Sequence, residues 1–465
     1  MKKVVVIGAG WSGLIVANLL AKRGHTVTLL EQAGHVGGCL RSFSLNDTQY
    51  ETGFHFVSGL VRFTPVYRLF RRLKLTSLPW QEQKELEVHI GSSTYHLPCS
   101  LRRCERYLKK HFPNQKPNLT TYFNTLDTVA HCSLQQTIPY WERNAWDWLS
   151  ETITDPELRQ VLSSMSLIID LRKQSLPLFS YAEIMWGILS STKRLKGGGQ
   201  TLIQRLLTNI EKAGVRVLCY AQVIRIEENE TGVSGVQLSD GQILPADVVV
   251  SSLHPHITMD LLSEHTHMRK IFVRRITNMD STPGCFTVNI QLTKDAFPLP
   301  THPIYIHDEG DLWDEVTNNR HLMLYTYPEQ NALDILMPMA WEQVEQWKDA
   351  PHKHRGADYE AFKQQTAAHC IALAEKVLPH LSEHILMMNC STPLTWQYYT
   401  HTYHGSAYGT YKDCRSVETT LLTPKTPLPG LYLTGQSLVQ HGLVGTAISA
   451  YFTASMIDSK LEMKL

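Results

Sequence analysis

The tightest constraint on this chain is a glycine spacing close to its start. Gly8-Ala9-Gly10-Trp11-Ser12-Gly13 stands between a β-branched run, Lys3–Ile7, and a helical stretch, Trp11–Arg23, with Leu14, Ala17, Leu20 and Ala21 on its inner side. A short continuous apolar run is the pattern of a strand buried on both faces of a parallel sheet. In G-x-G-x-x-G, the first glycine makes a tight turn and the second lets the backbone approach a pyrophosphate. The third lets helix and strand pack closely. Gly24 ends the helix, and a second strand, His25–Leu30, delivers Glu31, whose carboxylate is placed for a ribose hydroxyl. The unit is of the Rossmann type, with a helix N-terminus offering free N–H groups to phosphates. Lys2 and Lys3 ahead of Val4–Ile7 imitate the opening of a secretion signal. Gly8, Gly10 and Gly13 interrupt the apolar run at once, however, and no small-residue cleavage site follows, so the segment is read as the first strand.

That motif alone serves NAD as well as FAD. The next segment, His35-Val36-Gly37-Gly38-Cys39-Leu40-Arg41-Ser42, follows the acidic residue directly. A Gly-Gly pair there lets the backbone pass close to a further part of a long ligand, an extension that a plain NAD unit lacks. FAD is therefore the expected cofactor, with Gly37, Gly38, Arg41 and Ser42 joining Gly8, Gly10, Gly13 and Glu31 as candidate binding residues. No second G-x-G-x-x-G is visible, so a dedicated NADPH domain is not expected.

Composition narrows the class further. The chain has 465 residues, 43% hydrophobic and 19% charged, an ordinary globular balance with room for two or three domains. A net charge of +1 gives nothing that would steer the protein to nucleic acid. Nine scattered cysteines, an odd number without a C-x-x-C pair, argue against a disulfide framework or zinc site and fit a reducing, cytoplasmic compartment. His254 and His256, His265 and His267, and His352 and His354 form H-x-H pairs, but no third ligand accompanies any of them and no metal is expected. No stretch is long and apolar enough for a transmembrane helix. Arg62, Arg68, Arg71, Arg72 and Lys74 interleave with Phe63, Tyr67, Leu69, Phe70 and Leu73, and a second such cluster spans Leu101–Phe112. These stretches suit either peripheral contact with the cytoplasmic membrane face or two ordinary amphipathic helices with solvated basic sides.

Along the rest of the chain, the pattern predicts a hairpin at Leu86–Leu97, mostly helix over 118–192, and a helix at Thr201–Lys212. Strands follow at Val215–Leu218, Val223–Glu227, Gly235–Leu238 and Ala246–Ser251, with a turn at Asp240-Gly241. Alternation in Phe286–Leu292, Ile304–His307 and His321–Tyr327 suggests a separate antiparallel sheet. Tyr359–Val377 reads as a helix, Gly430–Thr434 as a strand and Gly445–Met456 as a helix. The implied fold class is α/β: a discontinuous FAD domain of Rossmann type (1–75, 195–275 and 416–465) with an inserted α+β substrate domain. The insert comprises a mostly helical part (76–194) and a part of antiparallel sheet and helices (276–415).

The order G-x-G-x-x-G, acidic residue, G-G-x-x-x-S/T resembles the glutathione-reductase-like flavoproteins, especially their phytoene desaturase and amine oxidase branch. Further segments narrow the likeness: Glu51-Thr52-Gly53-Phe54-His55-Phe56, Lys196-Gly197-Gly198-Gly199-Gln200-Thr201-Leu202, and Ala246–Pro255 with Ser252 where asparagine is more usual. So do Thr392–Trp396, Tyr399-Thr400, Gly405–Gly409, Leu431–Gln436 and His441–Gly445. Together they are similar to the phytoene desaturase, carotenoid isomerase and retinol saturase-like family of FAD-dependent oxidoreductases. The resemblance implies that the Val223 backbone lies beside the adenine and that Gly435 and Gln436 lie near the ribityl chain. It also implies that Gly442 and Gly445 let a helix N-terminus approach the pyrimidine edge of the flavin, where its dipole favours the charge gained on reduction.

The same resemblance implies a long, apolar, unsaturated lipid as substrate; no feature names the redox partner. Saturating a double bond requires a proton donor beside the hydride path, and His55, Tyr408 and His441 are the candidates. Each has a structural alternative: a loop histidine, a packed aromatic and a helix start. Covalent flavin attachment at Cys39 is not expected. The leading reading is a saturase or desaturase. Its alternatives are a redox-neutral polyene cis-trans isomerase using reduced FAD, an amine oxidase, and a flavin-binding scaffold without activity.

Overall fold

The computed structural model describes residues 1–461 except 166–168, 170, 264–265, 309 and 314–318. His265 of the second H-x-H pair thus lies outside the described residues.

The Lys3–Ile7 strand is the middle of a five-stranded parallel sheet, ordered 216–218, 26–30, 3–7, 248–251, 431–433. Three distant stretches of chain therefore build one sheet. Its strands are short Val- and Leu-rich runs because both faces are covered. The apolar spacing predicts a first helix with one inner side, but in the observed helix, Trp11–Ala21, all eleven residues are buried. The Gly198–Lys212 and Gly442–Ile457 helices both pack on it, so it has no solvent side. Chain progression reverses between the neighbouring strands 3–7 and 248–251. That makes a crevice at their carboxyl ends, where open α/β sheets bind ligands.

The second layer is a seven-stranded sheet ordered 385–391, 284–292, 332–339, 321–327, 304–307, 85–90, 93–98. It corrects two expectations. The sheet is not wholly antiparallel, since Ile304–His307 pairs in parallel with Glu87–Ile90. The predicted hairpin at Leu86–Leu97 exists but belongs to this same sheet. Two of its strands, Ala332–Met339 and Ile385–Ser391, were not foreseen. A helical layer covers the hairpin end of this sheet. It includes Lys116–His131 and Leu178–Ser190, packed through Tyr122, Phe123, Tyr181 and Met185. Between Leu40 and Gly59, where the sequence looks irregular, Ser42–Leu45 and Thr48–Glu51 form a small hairpin.

The two basic stretches are helices, Pro65–Arg72 and Leu101–His111. Leu69, Phe70, Leu73 and Leu108 are wholly buried in the protein core, so those apolar groups are not available to a bilayer. Phe63, by contrast, is 84% exposed. Among the described residues, no helix is long and apolar enough to cross a membrane. No three His, Cys, Asp or Glu side chains there gather into a group that could hold a metal.

Candidate functional site

At the carboxyl end of the central strand the chain turns through Gly8, whose φ of +90° only glycine adopts easily. A Cβ on Gly8 would meet Ser252 Oγ at 2.5 Å, and one on Gly13 would meet the Gly8 carbonyl oxygen at 2.0 Å. Ser252, the residue that departs from the family pattern, fastens this turn by donating to the Ile7 and Gly8 carbonyls, each at 2.9 Å. Gly10 differs: nothing lies within 4 Å of a Cβ built there. It faces a large cavity.

That cavity is continuous, with a volume of about 1560 Å³. Ligand sites commonly occupy roughly 300–1,000 Å³, so it has room for a dinucleotide and a second molecule. Of the thirteen residues proposed from sequence to bind the cofactor, eleven line it: Gly8, Gly10, Glu31, Gly37, Gly38, Arg41, Val223, Gly435, Gln436, Gly442 and Gly445. Gly13 does not line it; the third glycine is a packing contact between helix and strand. Ser42 does not line it either, which corrects the expectation for that residue. Its hydroxyl donates to Glu51 Oε1 at 3.0 Å, and Glu51 Oε2 accepts from the Gly199 N–H at 3.0 Å. Ser42 thereby braces the glycine-pair segment against the second glycine-rich helix start. Burial pushes the Glu51 carboxyl above its usual range.

The wall suits a charged, elongated ligand. Glu31 accepts from the Ala9 N–H at 3.0 Å and the Ala33 N–H at 2.9 Å, which fixes its carboxylate at the rim with lone pairs to spare. Gly37 donates to the Ala9 carbonyl at 2.8 Å, so both glycine segments meet, and a Cβ on Gly38 would lie 3.3 Å from Gly10 Cα. Arg41 donates to the Tyr399 carbonyl at 2.8 Å. Further along, the helices starting at Trp11 and Gly442 bring their N-termini to one cavity, and Trp11 Nε1 donates to the Leu443 carbonyl at 2.8 Å. Two helix dipoles and their free N–H groups make two positive, donor-rich ends.

All three proton-donor candidates line the same cavity. Tyr408 and His441 pack together, ring centroids 4.4 Å apart, and burial pushes the Tyr408 hydroxyl well above the ordinary phenol range, so it keeps its proton. His55 stands on a different wall, its ring edge-on to Tyr325 at 4.8 Å and its Nε2 3.4 Å from Asp334 Oδ2. Asp334 is wholly buried and accepts from the Asn289 amide at 2.7 Å and the Tyr327 hydroxyl at 2.6 Å.

Three chemically active residues escaped the sequence reading. Asp334 could have been noticed as a lone charge inside the apolar run Ala332–Met339. Lys412 lies under the 434–440 turn, where its ammonium donates to the Ser437 carbonyl at 2.5 Å, the Thr420 carbonyl at 3.2 Å and Thr410 Oγ1 at 3.3 Å. Burial pulls Lys412 down to about 7. Glu183, the one carboxylate in the helix Leu178–Ser190, also lines the cavity.

Comparison with known proteins accords with this geometry. Residues 6–73 match an NAD(P)-binding Rossmann-like domain, and residues 149–455 match the family described as flavin containing amine oxidoreductase. The chain belongs to that flavin-containing family. FAD is its cofactor, and it is an oxidoreductase. All-trans-retinol 13,14-reductase of Rattus norvegicus is 24% identical, over 97% of this chain and 85% of that protein. A 4,4'-diapophytoene desaturase of Methylomonas sp is 20% identical over 88% and 85%. Prolycopene isomerase 1 of an Oncidium hybrid cultivar is 23% identical over 99% and 84%. Among solved structures, an oxidoreductase from Methanosarcina mazei superposes with a TM-score of 0.67 at 16% identity, covering 96% of this chain and 98% of that one. Putrescine oxidase bound to putrescine also gives 0.67 at 16% identity, covering 98% and 99%. These structures share the fold.

Proposed function

We propose that this oxidoreductase acts on C=C or C–C bonds of a long apolar polyene or isoprenoid lipid, saturating or desaturating it. The observation that carries this reading is an apolar stretch of the cavity wall, its apolar arm. Beyond the glycine cradle it runs between Phe56, Val61, Phe179, Ile184, Met323 and Leu336, a wall for a hydrocarbon chain rather than a short polar amine. The relatives' names point the same way, toward a retinol, a diapophytoene and a prolycopene.

In this reading the Gly8–Gly10 turn and the N-terminus of the Trp11–Ala21 helix take the cofactor's diphosphate, Glu31 the adenosine ribose, and the Val223 backbone the adenine. Gly37, Gly38 and Arg41 flank the middle of the cofactor, Gly435 and Gln436 its ribityl chain, and Gly442 and Gly445 the flavin pyrimidine. FAD supplies a two-electron carrier that accepts or delivers hydride. The chain's own residues exclude water from the apolar arm and hold a proton nearby, at the Tyr408 hydroxyl packed on His441 or at His55 beside Asp334. Exposed Phe63, which lines the cavity at Arg62 and Thr64, supports lipid entry from a membrane face, with the protein in the cytoplasm and peripheral to the bilayer.

The test is a parallel anaerobic challenge of the oxidised and the chemically reduced holoenzyme with polyenes and with primary amines. A change of flavin oxidation state with the polyenes alone supports the proposal. Flavin bleaching by amines, with hydrogen peroxide on admitting air, would replace it with an amine oxidase. Rearrangement of the polyene without change of mass would replace it with a cis-trans isomerase.

A further inference from the structure

Among the described residues, one carboxylate besides Glu31 lines the cavity. Glu183 projects from the Leu178–Ser190 helix between Phe179 and Ile184, and part of its surface faces the cavity while the rest is deep in the protein. Among the described residues it makes no hydrogen bond and no ion pair. The charged group that acts on it is His131, at the end of the Lys116–His131 helix. That histidine is already engaged: Nδ1 lies 2.7 Å from the Asp127 carbonyl and 3.5 Å from Asp127 Oδ1, and its ring stands edge-on to Trp186 at 5.4 Å. A buried carboxyl without a partner is costly, and such groups persist where a ligand completes them. One turn back on the same helix, the Ser180 carbonyl accepts from the Gln440 side chain at 3.2 Å, which ties this helix to the turn before Gly442.

We infer that Glu183 is the head-group anchor of the apolar arm and selects polyenes that carry a terminal hydroxyl. This rests on the polyene reading above. The hydroxyl donates to the Glu183 carboxylate or accepts from the protonated acid, so it is held in either state. Burial lifts the Glu183 carboxyl to about 7, so near neutral pH the group is often uncharged. A carboxylate head group would face like charge whenever Glu183 is ionised, and an ammonium would have to shed its water among Phe179, Ile184 and the other apolar residues of this wall. A hydroxyl makes its hydrogen bond at a lower desolvation cost. A site built to hydrogen-bond a hydroxyl rejects the analogue lacking it far more strongly than an apolar pocket rejects an extra methylene.

The experiment measures equilibrium binding to the oxidised, FAD-loaded holoenzyme without an electron donor, read by quenching of tryptophan fluorescence. The probes are all-trans-retinol, the same polyene with the hydroxyl replaced by hydrogen, and the corresponding primary amine. The proteins are wild type, Glu183→Leu and Glu183→Gln, each checked for wild-type FAD content. Wild type is expected to bind the alcohol at least tenfold tighter than the hydrocarbon. Glu183→Leu should bind the two equally, and Glu183→Gln, which still donates and accepts, should keep most of the preference. Equal binding of alcohol and hydrocarbon by wild type overturns the anchor, as does a preference that survives in Glu183→Leu or a tenfold preference for the amine. Binding of none of the polyenes overturns the polyene reading itself, a result distinct from binding them without discrimination.

Discussion

Replacing Gly10 by valine should empty the protein of flavin while leaving it folded. The backbone at Gly10 has φ −73° and ψ −173°, an extended conformation open to any residue, and a Cβ there meets no atom within 4 Å. The protein therefore gives no reason for glycine at this position; the reason is the ligand. Adding even one methylene to a close-packed contact costs about 1–3 kcal/mol. Three carbons against a diphosphate should cost about 3–4 kcal/mol, or two to three orders of magnitude in Kd. Gly13→Val is the contrasting change, because its Cβ would sit 2.0 Å from the Gly8 carbonyl oxygen within the folded core. The assay is flavin absorbance per chain after purification, together with Tm with and without added FAD. A bound cofactor raises Tm by mass action, so the wild type should gain stability with FAD. Gly10→Val should show native circular dichroism, no flavin and no gain; Gly13→Val should be unstable even without flavin. A Gly10→Val protein that purifies with stoichiometric flavin would refute this account of the cradle.

Three further outcomes are expected. Glu183 is held above its unfolded carboxyl value of 4.5, at about 7, so the folded state binds the extra proton between those values and stability falls as pH rises through that window. Glu183→Gln should therefore be more stable than wild type by up to about 3 kcal/mol at pH 8 and gain nothing near pH 4, as measured by urea unfolding at the two pH values. Asp334→Ala leaves the Tyr327 hydroxyl and the Asn289 amide without their buried acceptor. It should lose about 3 kcal/mol in chemical denaturation, and a loss below about 1 kcal/mol would contradict the buried network. Lys412→Met strips the Ser437 and Thr420 carbonyls of their donor. It should cost about 1–3 kcal/mol and weaken FAD binding by loosening the 434–440 turn, seen as flavin release on dilution; unchanged flavin retention would sink that role.

The cofactor end of the molecule was legible because its signals are local. Gly8, Gly37, Gly38, Gly435 and Gly442 all take positive φ, and the strands at 3–7 and 26–30 and the helices after Gly10 and His441 each follow from a short periodic run. What stayed hidden depends on contacts between distant residues. The strand Ala332–Met339 is buried at all eight positions, so it shows no alternation to distinguish it from a helix segment. Asp334 is tolerable in it only because Asn289 and Tyr327 meet it across the sheet. Ser42 fits the family spacing as a ligand contact, but the hairpin to Glu51 turns it toward a carboxylate instead. Glu183 reads as one polar residue in an apolar helix until the cavity it faces is seen.

If flavin and polyene exchange hydrogen in this cavity, the mass of the polyene records it most directly. Stoichiometric reduced holoenzyme should be incubated anaerobically with an excess-free polyene alcohol, and the lipid extracted and weighed by mass spectrometry. The lipid should gain two hydrogens as the flavin becomes oxidised, or lose two with flavin reduction when the oxidised enzyme is used on a saturated partner. Recovery of the polyene at unchanged mass in both arms, with the flavin still in its starting state, would contradict the exchange.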